Sequence, residues 1–256
     1  LQDMHLGMDY RFPWAERSTN LVTQAQYTTG TVTATQGSAN IVGIGSTWNT
    51  ANSFGTKNMR VGGKILIAGS RIPYAILTVS SDTAAILSRP FTETTQTAQT
   101  YIYYEDEYAL TTDFLRPVDM QQFSDQLSIG LVSRTEFRQR YPNNAVPGHP
   151  TVACIIDAAP SGNTTPVRRV RFHQPPSLAM TITYSYITSN LAVSSAGVGA
   201  ANLSATTDEP IIPLRYRHAL VLHALYHVYR DRKDDARSQE AKSEYSDIML
   251  RITSDT

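Results

Sequence analysis

The chain has 256 residues, enough for one large domain or two smaller ones, each with its own core. Its 22 basic and 22 acidic side chains give a formal net charge of zero, which argues against a protein whose main role is gripping nucleic acid, although a local basic or acidic surface stays open. The single cysteine, Cys154, excludes an intrachain disulfide and a cysteine metal cluster.

Residues 1–26 form an amino-terminal segment that can be part of a helical domain. The chain starts at Leu1 rather than at Met, so we expect either a longer product or a trimmed one. The start lacks the basic and apolar regions of a signal peptide. No apolar run approaches the roughly 18–20 residues that span a bilayer, and we therefore expect no membrane partner.

Residues 27–116 have the pattern of a β module. Only seven charged side chains occur between residues 18 and 100, and this stretch is rich in threonine, a β-branched residue that favours strands. Residues 31–35 alternate polar with apolar, and the turn at 36–38 leads into a strand that starts at Asn40. Further strands are predicted at Lys64–Ile67, Tyr74–Val79, Ala84–Leu87 and Tyr101–Tyr104. Short strands at this spacing predict a small barrel or sandwich, with residues 27–104 folding as a self-contained unit.

Residues 117–207 are a mixed segment. Residues 124–141 can hold one short helix that exposes Arg134, Arg138 and Arg140. Three more strands are predicted at 151–156, 167–172 and 180–186, with Val170 and Phe172 on one face of the second. Residues 191–207 are small and largely uncharged, which indicates a linker or a long loop.

Residues 208–256 are predicted to be helical. An apolar helix covers 219–228, the charged block 230–235 interrupts it, and Asp234 or Asp235 can cap a second helix. A stripe on one face of that second helix suits one partner, in the same subunit or in a neighbouring protein; it comprises Ala241, Tyr245, Ile248, Met249 and Ile252. The result is a helical hairpin or one long helix with a polar waist. The fold class is thus α+β, with a small β-barrel or sandwich module inserted in a mixed domain that has carboxyl-terminal helices.

No catalytic, cofactor or metal site is predicted, and we expect no enzyme. His223 and His227 share a helical face, but Ala224 stands where a zincin motif places a glutamate, so we predict a packing or subunit interface and no zinc. The cluster Glu105–Glu107 can hold a cation or act in acid–base catalysis; a solvated loop or a salt-bridge role is the more common use.

Three other features have simple interpretations. Gly43 and Gly45 lack the third glycine and the helix of a nucleotide-binding loop. Arg168, Arg169 and Arg171 can contact phosphate or be ordinary surface charges. Cys154 lies in an apolar run, which is typical of a small buried hydrophobe.

Two stretches together resemble a known family. The first runs from Thr29-Gly30-Thr31 through Gly43-Ile44-Gly45-Ser46-Thr47-Trp48 to Tyr101-Ile102-Tyr103 and Asp113-Phe114-Leu115-Arg116, and the second begins at Pro213-Leu214-Arg215-Tyr216-Arg217-His218-Ala219-Leu220. Over most of residues 27–116 and 208–252 the chain resembles the head-to-tail adaptor (connector) proteins of tailed phages, especially the podovirus type.

The resemblance implies a structural virion protein assembled in the host cytoplasm. It implies a homo-oligomeric ring, a dodecamer, that lies between the portal protein and the tail tube or nozzle, lines the DNA channel and contacts packaged DNA without sequence preference. The helix that such proteins carry before the β part is mostly missing here, and Thr111 and Thr112 depart from the expected pattern.

Two alternatives remain from the sequence. One is another virion structural component, such as a tail or head-completion protein. The other is a carbohydrate-binding β module, because six aromatic residues can form a stacking platform for sugars; they are Tyr27, Trp48, Tyr74, Tyr101, Tyr103 and Tyr104.

Overall fold

The structure is a computed structural model in which residues 13–122, 127–142, 146–157 and 168–254 are described. It combines β-sheets with carboxyl-terminal helices, which confirms the predicted α+β class. The chain divides into two compact units. We call Ser18–Thr112 with Val118–Ser185 the β unit, and the described parts of Leu1–Arg17, Asp113–Pro117 and Tyr186–Thr256 the helical unit.

A curled seven-stranded sheet dominates the β unit. Its strands are β2 (Thr31–Ala34), β3 (Asn40–Ile44), β4 (Lys64–Ile67), β5 (Tyr74–Val79), β6 (Ala84–Leu87), β7 (Gln96–Gln99) and β8 (Tyr101–Tyr104), in the spatial order β7-β2-β3-β6-β5-β4-β8. Only Thr100 separates β7 from β8, yet these strands occupy opposite ends of the sheet. The sheet must therefore curl until its two ends meet, as the predicted barrel-like module requires.

Alternating burial fills the inside of this sheet. Inward residues such as Val32, Ile41 and Tyr103 are fully buried, and Trp48 lies among them with its indole Nε1 donating a 2.7 Å hydrogen bond to the Tyr101 hydroxyl. The strands β4, β5, β6 and β8 occur where the sequence predicts them. Strand β7 was not predicted, because its sequence QTAQ contains no alternating large apolar residues.

A second sheet of the β unit carries a short helix. Its strands β9 (Glu107–Ala109), β11 (Gly130–Leu131), β12 (Val152–Asp157) and β13 (Arg168–His173) have the order β11-β12-β13-β9, and β12 pairs antiparallel with β13. Val170 and Phe172 are both fully buried, as predicted. Helix α1 (Arg134–Arg140) begins after Ser133, whose hydroxyl accepts a hydrogen bond from the Glu136 amide.

Helix α1 is shorter than the predicted range 124–141, of which 124–126 lie outside the described residues. Where the prediction allowed one helix, the chain first forms β11, which pairs parallel to β12. Backbone pairing with a central strand here outweighs local helix propensity.

Two three-stranded sheets complete the β structure. One has the order β1-β14-β10, from β1 (Glu16–Val22), β10 (Phe114–Gln122) and β14 (Thr181–Thr188). The other has the order β16-β15-β17, from β15 (Ala192–Val193), β16 (Gly199–Ala200) and β17 (Glu209–Pro210). The linker predicted at 191–207 therefore contains two short strands, and the described part of the amino-terminal segment is mostly a strand.

The chain ends in a helical hairpin. Helix α2 (His218–Asp231) follows a 3₁₀ turn at Leu214–Tyr216, and helix α3 (Asp235–Ser254) begins at a cap where an Asp234 carboxylate oxygen accepts from the Arg237 amide at 3.3 Å. The hairpin alternative is thus confirmed, and Asp234 is the capping residue.

The apolar stripe predicted on the second helix is covered within the chain. Ala241, Met249 and Ile252 are at most 5% exposed, and Tyr245 and Ile248 are half-buried. Of the two kinds of partner left open by the sequence, the same subunit is the one that buries this stripe.

The turn between α2 and α3 contains a strained residue. Lys233 has a φ of 60°, a left-handed conformation that costs a non-glycine residue about 1–2 kcal/mol. We expect Lys233→Gly to raise the free energy of unfolding by about 0.5–1 kcal/mol, after the larger backbone entropy of glycine is subtracted. Urea denaturation checks this, with Lys233→Ala as the control that keeps the strain. An equal gain in both variants would contradict the assignment.

Candidate functional site

The acidic cluster Glu105–Glu107 links the two larger sheets of the β unit. Glu105 and Asp106 connect β8 to β9 and are only 7% and 1% exposed. Glu105 receives two charge-assisted hydrogen bonds from the Arg60 guanidinium, from Nε at 2.8 Å and from Nη2 at 2.5 Å. This paired geometry is the strong form of the arginine–carboxylate contact.

Asp106 binds one cation from each sheet. Its Oδ2 atom lies 2.5 Å from Lys64 Nζ on β4 and 3.0 Å from Arg171 Nε on β13. The backbone of Asp106 also accepts from the Phe172 amide at 2.9 Å. We call Arg60, Lys64, Glu105, Asp106 and Arg171 the charge junction. Because the acidic side chains bind cationic side chains of the protein, the salt-bridge interpretation of the cluster is the one that the structure supports.

A buried tyrosine belongs to the same network. The Tyr103 hydroxyl donates to Glu105 Oε1 at 2.7 Å. Burial, and then the adjacent Glu105 carboxylate, raise the pKa of Tyr103 well above its usual value. The phenol therefore stays protonated and acts as a fixed donor, which suits a structural junction better than proton transfer.

Helix α1 carries three exposed arginines. Arg134 and Arg138 lie four residues apart on one face, are exposed, and border a cavity of about 340 Å³ that Arg171 and Glu107 also line. Neither forms an ion pair with any residue in the described part of the chain. Arg140, which was predicted to be exposed, is so, and it pairs with Glu136 at 3.1 Å.

The three arginines of β13 bind carboxylate or carbonyl oxygens of the chain itself. Arg168 pairs with Asp157 at 2.7 Å, and the Arg169 guanidinium donates to the Glu107 carbonyl oxygen at 2.8 Å. Arg171 belongs to the charge junction. Their main contacts are therefore internal, and Arg134 and Arg138 are the better candidates for binding an anion.

The two histidines lie on the hairpin with an aromatic neighbour. The ring centroids of His223 and His227 are 4.8 Å apart, and the His223 ring is 5.0 Å from that of Tyr245. Within the described ranges, no group of three or more metal-ligating side chains comes together. That His223 and His227 hold no zinc stays a prediction.

The proposed aromatic platform lies inside the fold. Five of its six rings are at most 2% exposed, and only Tyr27 is half-buried. A sugar stacks on an exposed ring face, so these rings cannot form the platform that the carbohydrate-binding alternative needs. Cys154 is 1% exposed, as predicted, and burial raises the pKa of its thiol, which disfavours a nucleophilic thiolate. Among the described helices, none is long and apolar enough to cross a membrane.

Comparison with known proteins identifies the family. The model of the SU10 adaptor protein family matches residues 75–256, well over half of the chain. The chain therefore belongs to the SU10 adaptor protein family, a family of phage head-to-tail adaptors. None of the curated proteins compared with the chain matches it. The protein is a structural adaptor of a phage particle, as the resemblance in the sequence implied.

Proposed function

We propose that the protein forms a homo-oligomeric ring, a dodecamer, between the portal protein and the tail of the virion. The family match over residues 75–256 carries this proposal. The architecture supports it, because the functional groups of the β unit hold its own sheets together: the acidic cluster is paired internally and the aromatic rings form a core. Such a unit suits a rigid assembly role and no catalytic one.

The ring lines the DNA channel in this proposal, and α1 supplies the phosphate contacts. Arg134 and Arg138 are exposed and without a described ion-pair partner, whereas the β13 arginines are engaged. Contacts of this kind are electrostatic and independent of base sequence. A net charge of zero for the whole chain is compatible with one basic surface of this size.

Electron cryo-microscopy of the intact particle tests this function. We expect about twelve copies in a closed ring around the channel axis, between the portal and the tail tube or nozzle. The arginine face of α1 should point toward the channel. A lone copy per particle, or copies at a site away from the head-to-tail junction, would reject the proposal.

A further inference from the structure

Helix α2 and the 3₁₀ turn before it carry a row of residues outside the buried face of the helix. The row is Leu214, Arg217, Val221, Ala224 and Val228, spaced by three and four residues as on one helical face; the Arg217 side chain is 28% exposed and the other four residues are exposed. Leu214, Val221 and Val228 are 78%, 51% and 43% exposed. The buried residues of α2, Ala219 and Leu222, lie on the opposite face. The helix thus has one apolar face covered by the chain and a second one in solvent.

Helix α3 carries a second row of exposed residues away from its buried stripe, and one of them, Glu240, also borders a cavity that Leu222 and Tyr229 of α2 line. The row comprises Ala236, Glu240, Ser243, Asp247 and Leu250, with spacings of four and three residues, and all five are exposed. Leu250 is 67% exposed. The row has two acidic residues and no basic one. The buried stripe of α3 lies on the other side of this helix.

Each residue of the α2 row lies at about the same height along the hairpin as one residue of the α3 row, and we call such a shared height a level. The Ser238 hydroxyl lies 3.4 Å from the Tyr226 carbonyl oxygen, which marks one level shared by the two antiparallel helices. Moving away from that contact by equal steps on both sides keeps the level within a few ångströms, because an α-helix rises about 1.5 Å per residue and the 3₁₀ turn before α2 about 2.0 Å. Leu214 and Leu250 then lie at one level, and Arg217 and Asp247 at another.

We propose that a second copy of this chain docks its α3 row onto the α2 row, head to tail. In this proposal the hairpin runs along the ring axis. Copies related by rotation about that axis then keep the same levels, so Leu214 meets Leu250 and Arg217 meets Asp247 of the neighbouring copy. The remaining positions of the two rows include the small residues Ala224, Ala236 and Ser243, which allow two helices to approach closely. The inference rests on the proposed ring and names the surfaces that build it.

The charges of the two rows favour this pairing. Arg217 uses Nε for the Ile212 carbonyl oxygen and Nη2 for Glu209, at 3.0 and 2.8 Å, so its Nη1 donors have no partner in the described chain. The acidic α3 row can supply that partner. Pairing of two α2 helices instead would bring Arg215 and Arg217 of one copy toward Arg230 and Arg232 of the other, which is unfavourable. The contact is therefore heterologous, the type that closes into rings.

Disulfide crosslinking in assembled particles tests the contact, because the natural Cys154 is buried and does not compete. Particles carrying Leu214→Cys together with Leu250→Cys should give, after oxidation, a ladder of covalent oligomers from dimers up to the closed ring. Each single variant should stay monomeric. Dimers from either single variant would show an isologous contact and overturn the proposal.

A matched pair of arginine variants gives a second readout. Ser243 and Ser246 are both exposed serines of α3, and only Ser243 lies in the row. We expect Ser243→Arg to lower incorporation into particles by about tenfold or more and Ser246→Arg to leave it within about twofold, with the thermal stability of the purified chain unchanged in both. Equal incorporation would overturn the contact.

The two experiments distinguish failure of the hairpin contact from failure of the proposed ring. A ring seen in particles, without a crosslink ladder in the double variant, would reject the hairpin contact and leave the proposed function standing. A single copy per particle would reject the proposed function and the contact with it.

Discussion

Asp106→Ala is expected to lower the free energy of unfolding of the β unit by about 3–5 kcal/mol. The Asp106 side chain has no solvent exposure, and it binds Lys64 and Arg171, which are 18% and 31% exposed. Removing the carboxylate leaves both cations with the more distant Glu107 carboxylate, whose Oε1 lies 3.9 Å from Lys64 Nζ and 3.8 Å from Arg171 Nε. Urea denaturation followed by the fluorescence of the buried Trp48 measures the loss.

The control is a salt bridge of the same unit on its surface. Asp157 pairs with Arg168 at 2.7 Å, and its side chain is 67% exposed. We expect Asp157→Ala to cost less than about 1 kcal/mol, because water already solvates both ions. A similar cost for Asp106→Ala would mean that the charge junction contributes no more than a surface pair.

A triple variant distinguishes the stabilisation that the ion pairs provide from the cost of leaving one of their charges unpaired. Replacing Lys64, Asp106 and Arg171 by Met, Leu and Met removes the ions together, and apolar residues of similar volume should recover most of the lost stability. Recovered stability would show that Asp106→Ala is destabilising because it leaves unpaired charges, and not because the intact charge junction adds stability. Continued loss would mean that the ion pairs themselves stabilise the contact between the sheets.

Ile252→Asp is expected to cost on the order of 4 kcal/mol and to unfold the hairpin at much lower urea concentration. Ile252 has no solvent exposure, so a carboxylate there is forced into an apolar environment. The helical circular dichroism signal of the full chain during urea denaturation measures this effect.

Leu250→Asp is the matched control, two residues away on the same helix. Leu250 is 67% exposed, so we expect its substitution to change the free energy of unfolding by less than about 0.5 kcal/mol. Its effect should instead appear in assembly, where the proposed contact with Leu214 of the next copy would be lost. Equal destabilisation by both variants would contradict the assignment of the buried and the exposed face.

Local patterns determined much of the fold. Short apolar runs bounded by turn residues, such as Lys64–Ile67 and Tyr101–Tyr104, indicate strands from neighbouring residues alone. The charged block after α2 predicts an interruption of the apolar face, because consecutive charged residues cannot continue it, and left a hairpin and one long helix as alternatives; the structure has the hairpin. In the same way, the apolar run around Cys154 predicts its burial.

Tertiary structure decided what those patterns leave open. Strand β7 forms because β2 offers it a backbone edge, and the sequence QTAQ carries no signal of that partner. The role of Asp106 depends on Lys64 and Arg171, which are distant in sequence and adjacent only after two sheets pack. Which face of the hairpin meets the chain and which meets solvent is decided in the same way, because helical periodicity shows that faces exist and only packing assigns their partners.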